Sequence, residues 1–157
     1  MRNIKIESIL TVFDNLNELP SDIIELMEQA IEARQKAYAP YSKFYVGAAI
    51  LLDNGEIIIG SNQENASYPS GLCAERVALF YAGANYPEDP IVKICIVAEG
   101  DLMPSGALLS PCGSCRQVML ESEARQNNSI EVLLVQRSGE ILILDSVQNL
   151  LPFGFTK

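Results

Sequence analysis

The chain of 157 residues is long enough for one domain with a substantial core, and its 48% hydrophobic and 20% charged residues are ordinary for a globular protein. Its net charge of −9, with 11 Lys and Arg that never stand side by side, argues against nucleic acids and anionic membranes as partners. The chain has no histidine, which excludes mechanisms that need an imidazole base and leaves Cys, Asp and Glu as candidate metal ligands.

The N-terminal segment and the apolar stretches bear on cellular location. The segment MRNIKIESILTVF mixes polar and acidic residues into its apolar ones and has no small-residue cleavage site, so a secretory signal is not expected. No stretch approaches the roughly 20 apolar residues that span a bilayer. We therefore expect a cytoplasmic protein with no membrane partner, in which clustered cysteines bind metal or carry out redox chemistry.

The spacing of apolar residues predicts alternating helices and strands along the chain. In chain order we expect a weak strand over residues 4–12, a helix from 21 or 22 to about 38, a hairpin of strands 46–52 and 57–61, a helix over 72–84, a strand over 91–98, a helix from 111 or 112 to 124, strands over 130–136 and 141–144, and a short helix over 146–151. This order predicts an α/β fold, a three-layer α/β/α sandwich around a mixed five-stranded sheet. It indicates a single domain over residues 1–157, in which residues 1–20 are an N-terminal extension of unknown role.

Three of the four cysteines stand at predicted helix starts. Cys112 and Cys115 form a CxxC pair, which suits either one zinc ion or a thioredoxin-like dithiol. Cys73 begins another helix, so three thiolates can face one metal and leave a fourth position open, as in catalytic zinc sites. A closed structural site would need Cys95, but that residue lies inside an apolar strand, where a thiol is usually a small core residue.

Two charged residues follow Cys73 at once. Three thiolates on Zn²⁺ carry a net charge of −1, which makes the metal a poorer Lewis acid. Arg76, one turn after Cys73, can donate to the sulfurs and offset this charge from outside the ligand set. Glu75 lies in the same turn, is not needed as a ligand and is free to accept a proton from the nucleophilic water.

At these residues the chain resembles the cytidine deaminase family, in its small homotetrameric branch that binds zinc through three cysteines. The resemblance is carried by five stretches, namely YAPYSKFYVGAA at 38–49, GSNQENASY at 60–68, CAERVAL at 73–79, PCGSCRQV at 111–118 and LLPFGF at 150–155. It implies one Zn²⁺ per chain, held by Cys73, Cys112 and Cys115, with Glu75 as the catalytic residue. It also implies a homotetramer with active sites at subunit interfaces.

The resemblance further implies the residues that bind substrate. Phe44 would lie against the pyrimidine, and Asn62 and Glu64 would bind the ribose 3′-hydroxyl. Ala66, Tyr68 and Phe155 would line the site of a neighbouring subunit. The backbone N–H groups around Cys73 and Ala74, and the carbonyl of Ser110 or Pro111, would contact the base and its amino group.

The function that follows is hydrolytic deamination of cytidine and 2′-deoxycytidine to the uridines and ammonia, a reaction of pyrimidine salvage. Three alternatives stay open at this point. The chain could deaminate another aminopyrimidine nucleoside, such as blasticidin S. It could be a structural zinc protein, or it could edit a polynucleotide, which the net charge of −9 disfavours.

Overall fold

A computed structural model describes residues 1–103 and 106–156, which contain three α-helices and six β-strands. The helices are α1 at Ser21–Gln35, α2 at Ala74–Asn85 and α3 at Gly113–Ala124, and the strands are β1 at Thr11–Phe13, β2 at Tyr45–Leu52, β3 at Ile57–Ser61, β4 at Ile91–Glu99, β5 at Glu131–Val135 and β6 at Ile141–Leu144. Single 3₁₀ turns lie at Leu16–Glu18, Tyr68–Ser70 and Val147–Asn149. In this described part, no helix is both long and apolar enough to cross a membrane.

The six strands form one mixed sheet in the order β1, β6, β5, β4, β2, β3. All neighbours are antiparallel except β4 and β5, which run parallel and are joined through α3. A parallel pair needs such a crossover, whereas β2 and β3 are joined by a tight turn at Asn54 and Gly55. Gly55 has a φ of 87°, in the left-handed region that glycine adopts readily. This preference is the reason that the sequence predicts a turn here.

The two faces of the sheet are buried by different helices. One face, with Ile50, Ile94 and Ile96, packs against α2 and α3. The other face, with Ala49 and Cys95, packs against α1. Side chains alternate between the faces of a strand, so consecutive residues of β2 and β4 belong to different cores. The predicted three-layer α/β/α sandwich is confirmed.

Several boundaries differ from the predicted ones. The sheet has six strands instead of five, because Thr11–Phe13 pairs with β6 in register Thr11↔Ile143 to Phe13↔Ile141. This short strand covers the backbone groups along one side of β6, which would otherwise form the sheet edge. Helix α1 ends at Gln35, before the predicted residue 38, and the predicted last helix is only the 3₁₀ turn Val147–Asn149.

Candidate active site

Two helices on the same face of the sheet each begin directly after a cysteine. Cys73 precedes α2 and Cys112 precedes α3, both with extended backbone (φ −72°, ψ 153° and φ −66°, ψ 163°). Cys115 lies in the first turn of α3 and is buried. The first N–H groups of a helix and its dipole favour negative charge, so these positions stabilise thiolates. The predicted convergence of the three cysteines is confirmed.

The spacing of the three sulfur atoms fits one zinc ion. Cys112 Sγ lies 3.9 Å from Cys73 Sγ and 3.5 Å from Cys115 Sγ, and all three sulfurs lie within 4.8 Å of one another. Two sulfurs bound tetrahedrally at about 2.3 Å from zinc would stand about 3.8 Å apart. Soft thiolate donors at this spacing select zinc over hard cations such as Mg²⁺.

Arg76 lies beside the sulfur cluster. Its Nη2 donates to Cys73 Sγ at 3.6 Å, and hydrogen bonding to the Cys73 sulfur raises the pKa of the guanidinium further. Its Nε is buried and, among the described residues, has no hydrogen-bond partner. A buried cationic donor of this kind is accommodated when the neighbouring group carries excess negative charge, as three thiolates around one Zn²⁺ do.

The cysteines modify each other's ionisation. Interaction with the neighbouring Cys115 thiol is the largest cause that lowers the pKa of Cys73, to about 5, and the hydrogen bond from Arg76 contributes to the same shift. The same interaction raises the pKa of Cys115, because its proton is shared with the Cys73 sulfur. The lowered pKa favours the thiolate form of Cys73, which is the form in which cysteine binds metal.

Glu75 is almost fully buried, with 4% of its surface exposed, in the first turn of α2. Burial raises the pKa of its carboxyl group, and the negative charge of Cys73 raises it further. A carboxyl group whose pKa is raised binds a proton more readily, which suits a residue that accepts a proton and passes it on. In this position Glu75 can serve as a general acid and base beside the sulfur cluster.

The cluster opens onto a cavity of about 560 Å³, within the size range of small-molecule sites. Of the residues predicted from the sequence, the cavity wall includes Phe44, Asn62, Glu64, Tyr68, Cys73, Glu75, Arg76 and Cys112. The remaining wall is partly aromatic and aliphatic, with contributions from Tyr41, Val46, Leu72, Ile96, Leu102 and Leu109. One cavity therefore brings together most of the residues predicted to bind substrate.

A network of hydrogen bonds fixes the loop that carries Phe44. Asn62 donates from Nδ2 to the Phe44 carbonyl at 2.9 Å and accepts from the Val46 amide at 2.8 Å. Glu64 accepts from the Tyr41 amide at 2.9 Å and from the Ser42 hydroxyl. The Ser42 hydroxyl is the main cause that lowers the pKa of Glu64. Asn62 and Glu64 thus hold the aromatic wall of the cavity in place.

Three of the residues predicted to bind substrate, Ala66, Ala74 and Phe155, lie outside the cavity wall. The side chain of Ala74 is buried against the sheet, while Ala66 is exposed. Phe155 is 73% exposed, and the Gln117 side chain bonds both its amide, at 3.0 Å, and its carbonyl, at 2.8 Å. The exposed ring of Tyr68 packs edge-on against that of Tyr41, with centroids 6.3 Å apart.

Cys95 belongs to the core between the sheet and α1, on the opposite face from the sulfur cluster. It is completely buried, and this burial raises the pKa of its thiol to about 12. A residue separated from the cluster by the sheet cannot be its fourth ligand. The expectation that Cys95 is a core residue is confirmed.

The structure adds residues that sequence reasoning did not single out. Gln136 is buried and bonds the amide of Leu109 at 2.7 Å, and Leu109 lines the cavity. Arg116 bonds Ser110, another wall residue, at 2.7 Å. Leu102 and Leu109 carry no sequence signal, because an aliphatic wall residue looks like any core residue. Arg116 does carry a sequence signal, since it directly follows the CxxC pair.

Comparison with known proteins agrees with this geometry. A profile of the cytidine and deoxycytidylate deaminase zinc-binding region matches residues 20–129. The chain is 44% identical over 131 residues to the cytidine deaminase of Halalkalibacterium halodurans, covering 83% of this chain and 92% of that protein. It is 39% identical over 136 residues to the cytidine deaminase of Sporosarcina psychrophila, covering 87% and 93%.

A solved structure shows the same architecture. The crystal structure of cytidine deaminase from Burkholderia pseudomallei superposes with a TM-score of 0.71 at 42% identity, covering 84% of this chain and 98% of that chain. The profile match spans more than half of the 157 residues and includes all three clustered cysteines. On this agreement of sequence, fold and sulfur cluster, the chain belongs to the cytidine deaminase family.

Proposed function

We propose that the protein catalyses the zinc-dependent hydrolytic deamination of cytidine and 2′-deoxycytidine to the corresponding uridines and ammonia. The observation that carries this proposal is the position of Glu75, a buried carboxyl group of raised pKa beside three convergent thiol groups at a cavity of about 560 Å³. Relatives that are 44% and 39% identical are named cytidine deaminases, which supports the same reaction here.

Cys73, Cys112 and Cys115 would hold one Zn²⁺ per chain. When bound, zinc supplies a Lewis acid that makes water a nucleophile at neutral pH. Glu75 would take a proton from the attacking water and deliver it to N3 of the pyrimidine. It would then take the remaining proton from the hydroxyl group added at C4 and transfer it to the amino group, so that the C4–N bond breaks, ammonia leaves and C4 keeps a carbonyl oxygen. Arg76 would keep the thiolate cluster from accumulating excess negative charge.

The cavity wall offers matching contacts for a nucleoside. Phe44 supplies an aromatic face for the base. Asn62 and Glu64 keep free hydrogen-bonding capacity after holding the Phe44 loop, since an amide offers two donors and a carboxylate about four acceptor positions. These two side chains would bind the ribose 3′-hydroxyl. The backbone N–H groups near Cys73 and Ala74 would contact the base.

The assembly we propose is a homotetramer with active sites at subunit interfaces, each chain forming one deaminase domain over residues 1–157 with 1–20 as an N-terminal extension. The exposure of Ala66 and Phe155 supports this arrangement, because these side chains lie outside the cavity of their own chain and are available to line a neighbour's, whereas Tyr68 lines the cavity of its own chain. We also propose a cytoplasmic protein of pyrimidine salvage. Sedimentation equilibrium that returned a monomer at assay concentrations would contradict the tetramer.

The test of the function is an activity assay on a substrate panel. Purified protein with a measured zinc content is given cytidine, 2′-deoxycytidine, blasticidin S and a cytosine-containing oligonucleotide, and loss of cytosine absorbance and release of ammonia are followed. We expect turnover of the two nucleosides. Turnover of blasticidin S or the oligonucleotide without turnover of cytidine would overturn the proposed substrate, and failure on all four would overturn the proposed reaction.

A further inference from the structure

The guanidinium of Arg116 uses all three of its nitrogen atoms on three separate acceptors. Nε donates to the Pro111 carbonyl at 2.9 Å, Nη2 to the Ser110 hydroxyl at 2.7 Å and Nη1 to the Leu150 carbonyl at 3.0 Å. Arg116 is half-buried in the first turn of α3, directly after Cys115. One side chain therefore joins the segment before α3 to the C-terminal part of the chain.

All three acceptors of Arg116 are neutral. In the described ranges 1–103 and 106–156, Arg116 forms no ion pair, whereas Arg34 pairs with Glu99 at 3.0 Å and Arg137 with Asp101 at 2.9 Å. An ordinary surface ion pair therefore does not account for an arginine at this position. What the site uses is the planar, branched donor geometry of the guanidinium, which a lysine ammonium cannot reproduce.

Two of the three acceptors lie where the cavity wall meets the sulfur cluster. Ser110 is a wall residue, and the Pro111 carbonyl belongs to the peptide unit that leads into Cys112. The segment is also held at its other end, where the buried Gln136 accepts from the Leu109 amide at 2.7 Å and donates to its carbonyl at 3.4 Å. Residues 109–112 are thus fixed from both sides, and Arg116 provides the contacts next to Cys112.

We propose that Arg116 is a positioning residue, which sets the location of the Cys112 sulfur and of the Ser110 wall by holding the turn at residues 110–112. The part of this proposal that concerns Cys112 depends on the metal site alone. The part that concerns nucleoside binding rests, in addition, on the proposed function. Arg116 thereby differs in role from Arg76, which touches a sulfur atom directly.

The test compares Arg116→Lys and Arg116→Ala with the full-length wild type. Arg125→Lys is the matched control, because it makes the same change at the C-terminal end of α3, away from the cavity. Zinc release to a chromogenic chelator and the ligand-field absorption spectrum of the cobalt(II)-substituted protein are measured for each. We expect both Arg116 variants to release zinc about 10 to 100 times faster than the wild type, because loss of a residue that holds a metal ligand in place typically weakens metal binding by this factor. The cobalt spectra of both variants should differ from that of the wild type.

Two further results decide the proposal. Added guanidinium ion should slow zinc release from Arg116→Ala, since it can reoccupy the vacated site, and should not affect Arg125→Lys. If Arg116→Lys keeps both the wild-type release rate and the wild-type cobalt spectrum, the positioning role is wrong. If the metal readouts change as expected but the wild type does not deaminate cytidine, the proposed function fails and the positioning role stands.

Discussion

At the scale of single residues, charge around the sulfur cluster is the feature with the clearest consequence. Arg76 Nη2 lies 3.6 Å from Cys73 Sγ and its buried Nε faces no other acceptor in the described part of the chain. A cation held this close to a metal ligand stabilises the thiolate form and withdraws charge from it. Arg76 and Cys73 therefore act as one electrostatic unit.

Replacing Arg76 by Ala should weaken zinc binding by about 10 to 100 times, because the thiolate cluster loses its nearest positive charge. The measurement is a competition titration of zinc against a chelator of known affinity. Arg76→Lys serves as the control, since it keeps the charge but not the planar donor geometry. Its zinc affinity should lie between those of the wild type and Arg76→Ala. Equal zinc affinity and equal cytidine turnover in wild type and Arg76→Ala would contradict the role of this residue.

The Ser42 hydroxyl lowers the pKa of Glu64, which gives a prediction about pH. Because the folded-state pKa is lowered, the stabilisation from the ionised carboxylate is present above its ordinary pKa of about 4.3 and is lost as pH falls through the lowered value. Ser42→Ala should raise the pKa of Glu64, so this loss begins at higher pH. A carbon-detected NMR titration of the glutamate carboxyl groups tests this, and an unchanged pKa of Glu64 would contradict it.

At the scale of elements, the close approach of α2 to β3 places Cys73 and Glu75. A Cβ atom at Gly60 would stand 2.5 Å from the Ala74 carbonyl oxygen and 2.7 Å from the Ala78 amide nitrogen. These are backbone atoms of the helix, so they cannot yield without moving the helix itself. The missing side chain at Gly60 therefore lets the N-terminus of α2 lie on the sheet.

Gly60→Ala should lower the free energy of unfolding by about 1–3 kcal/mol, the usual cost of overpacking, and should reduce zinc content because the start of α2 is displaced. Gly83→Ala is the control, since a Cβ atom there meets no heavy atom within 4 Å. In a helix interior that change should raise stability by about 0.5–1 kcal/mol. Urea unfolding and zinc analysis test both, and equal stability of the two variants would contradict the account.

The sequence predicted most elements but not where each one ends. Helices α2 and α3 begin at Ala74 and Gly113, one or two residues after the predicted starts, because each cysteine precedes its helix with extended backbone. The strand predicted over residues 4–12 is present only at Thr11–Phe13, and three residues cannot show a clear alternation of their own. Its existence depends on the partner strand β6, which lies some 130 residues away in the sequence.

At the scale of the whole molecule, the sheet separates two cores, and the four cysteines are divided between its two faces. Cys95 lies in the core between the sheet and α1, while the other three meet on the opposite face. Zinc content should therefore be one per chain in both wild type and Cys95→Ala. Zinc analysis of the folded variant tests this, and loss of zinc from a folded Cys95→Ala protein would indicate a closed four-cysteine site.

The three-layer architecture and the cysteine cluster could be predicted because each depends on a short pattern: apolar periodicity for the layers, and cysteines at helix starts for the cluster. The contacts of Gln136 with Leu109 and of Arg116 with Leu150 could not, since they join residues 27 and 34 positions apart. A bond from a side chain to a backbone group this far along the chain leaves no pattern in the sequence. They become visible only when the packing of α3, β5 and the C-terminal segment is known.

The central claim is that Glu75 transfers protons in a zinc-dependent deamination of cytidine. The most direct measurement is the rate of cytidine turnover by Glu75→Gln and by wild type, each with its zinc content determined on the same sample. We predict one zinc per chain in both proteins and a turnover by the variant that is lower by about 10²–10⁴-fold, the contribution typical of a general acid and base. Undiminished turnover by a zinc-loaded Glu75→Gln protein would contradict the claim.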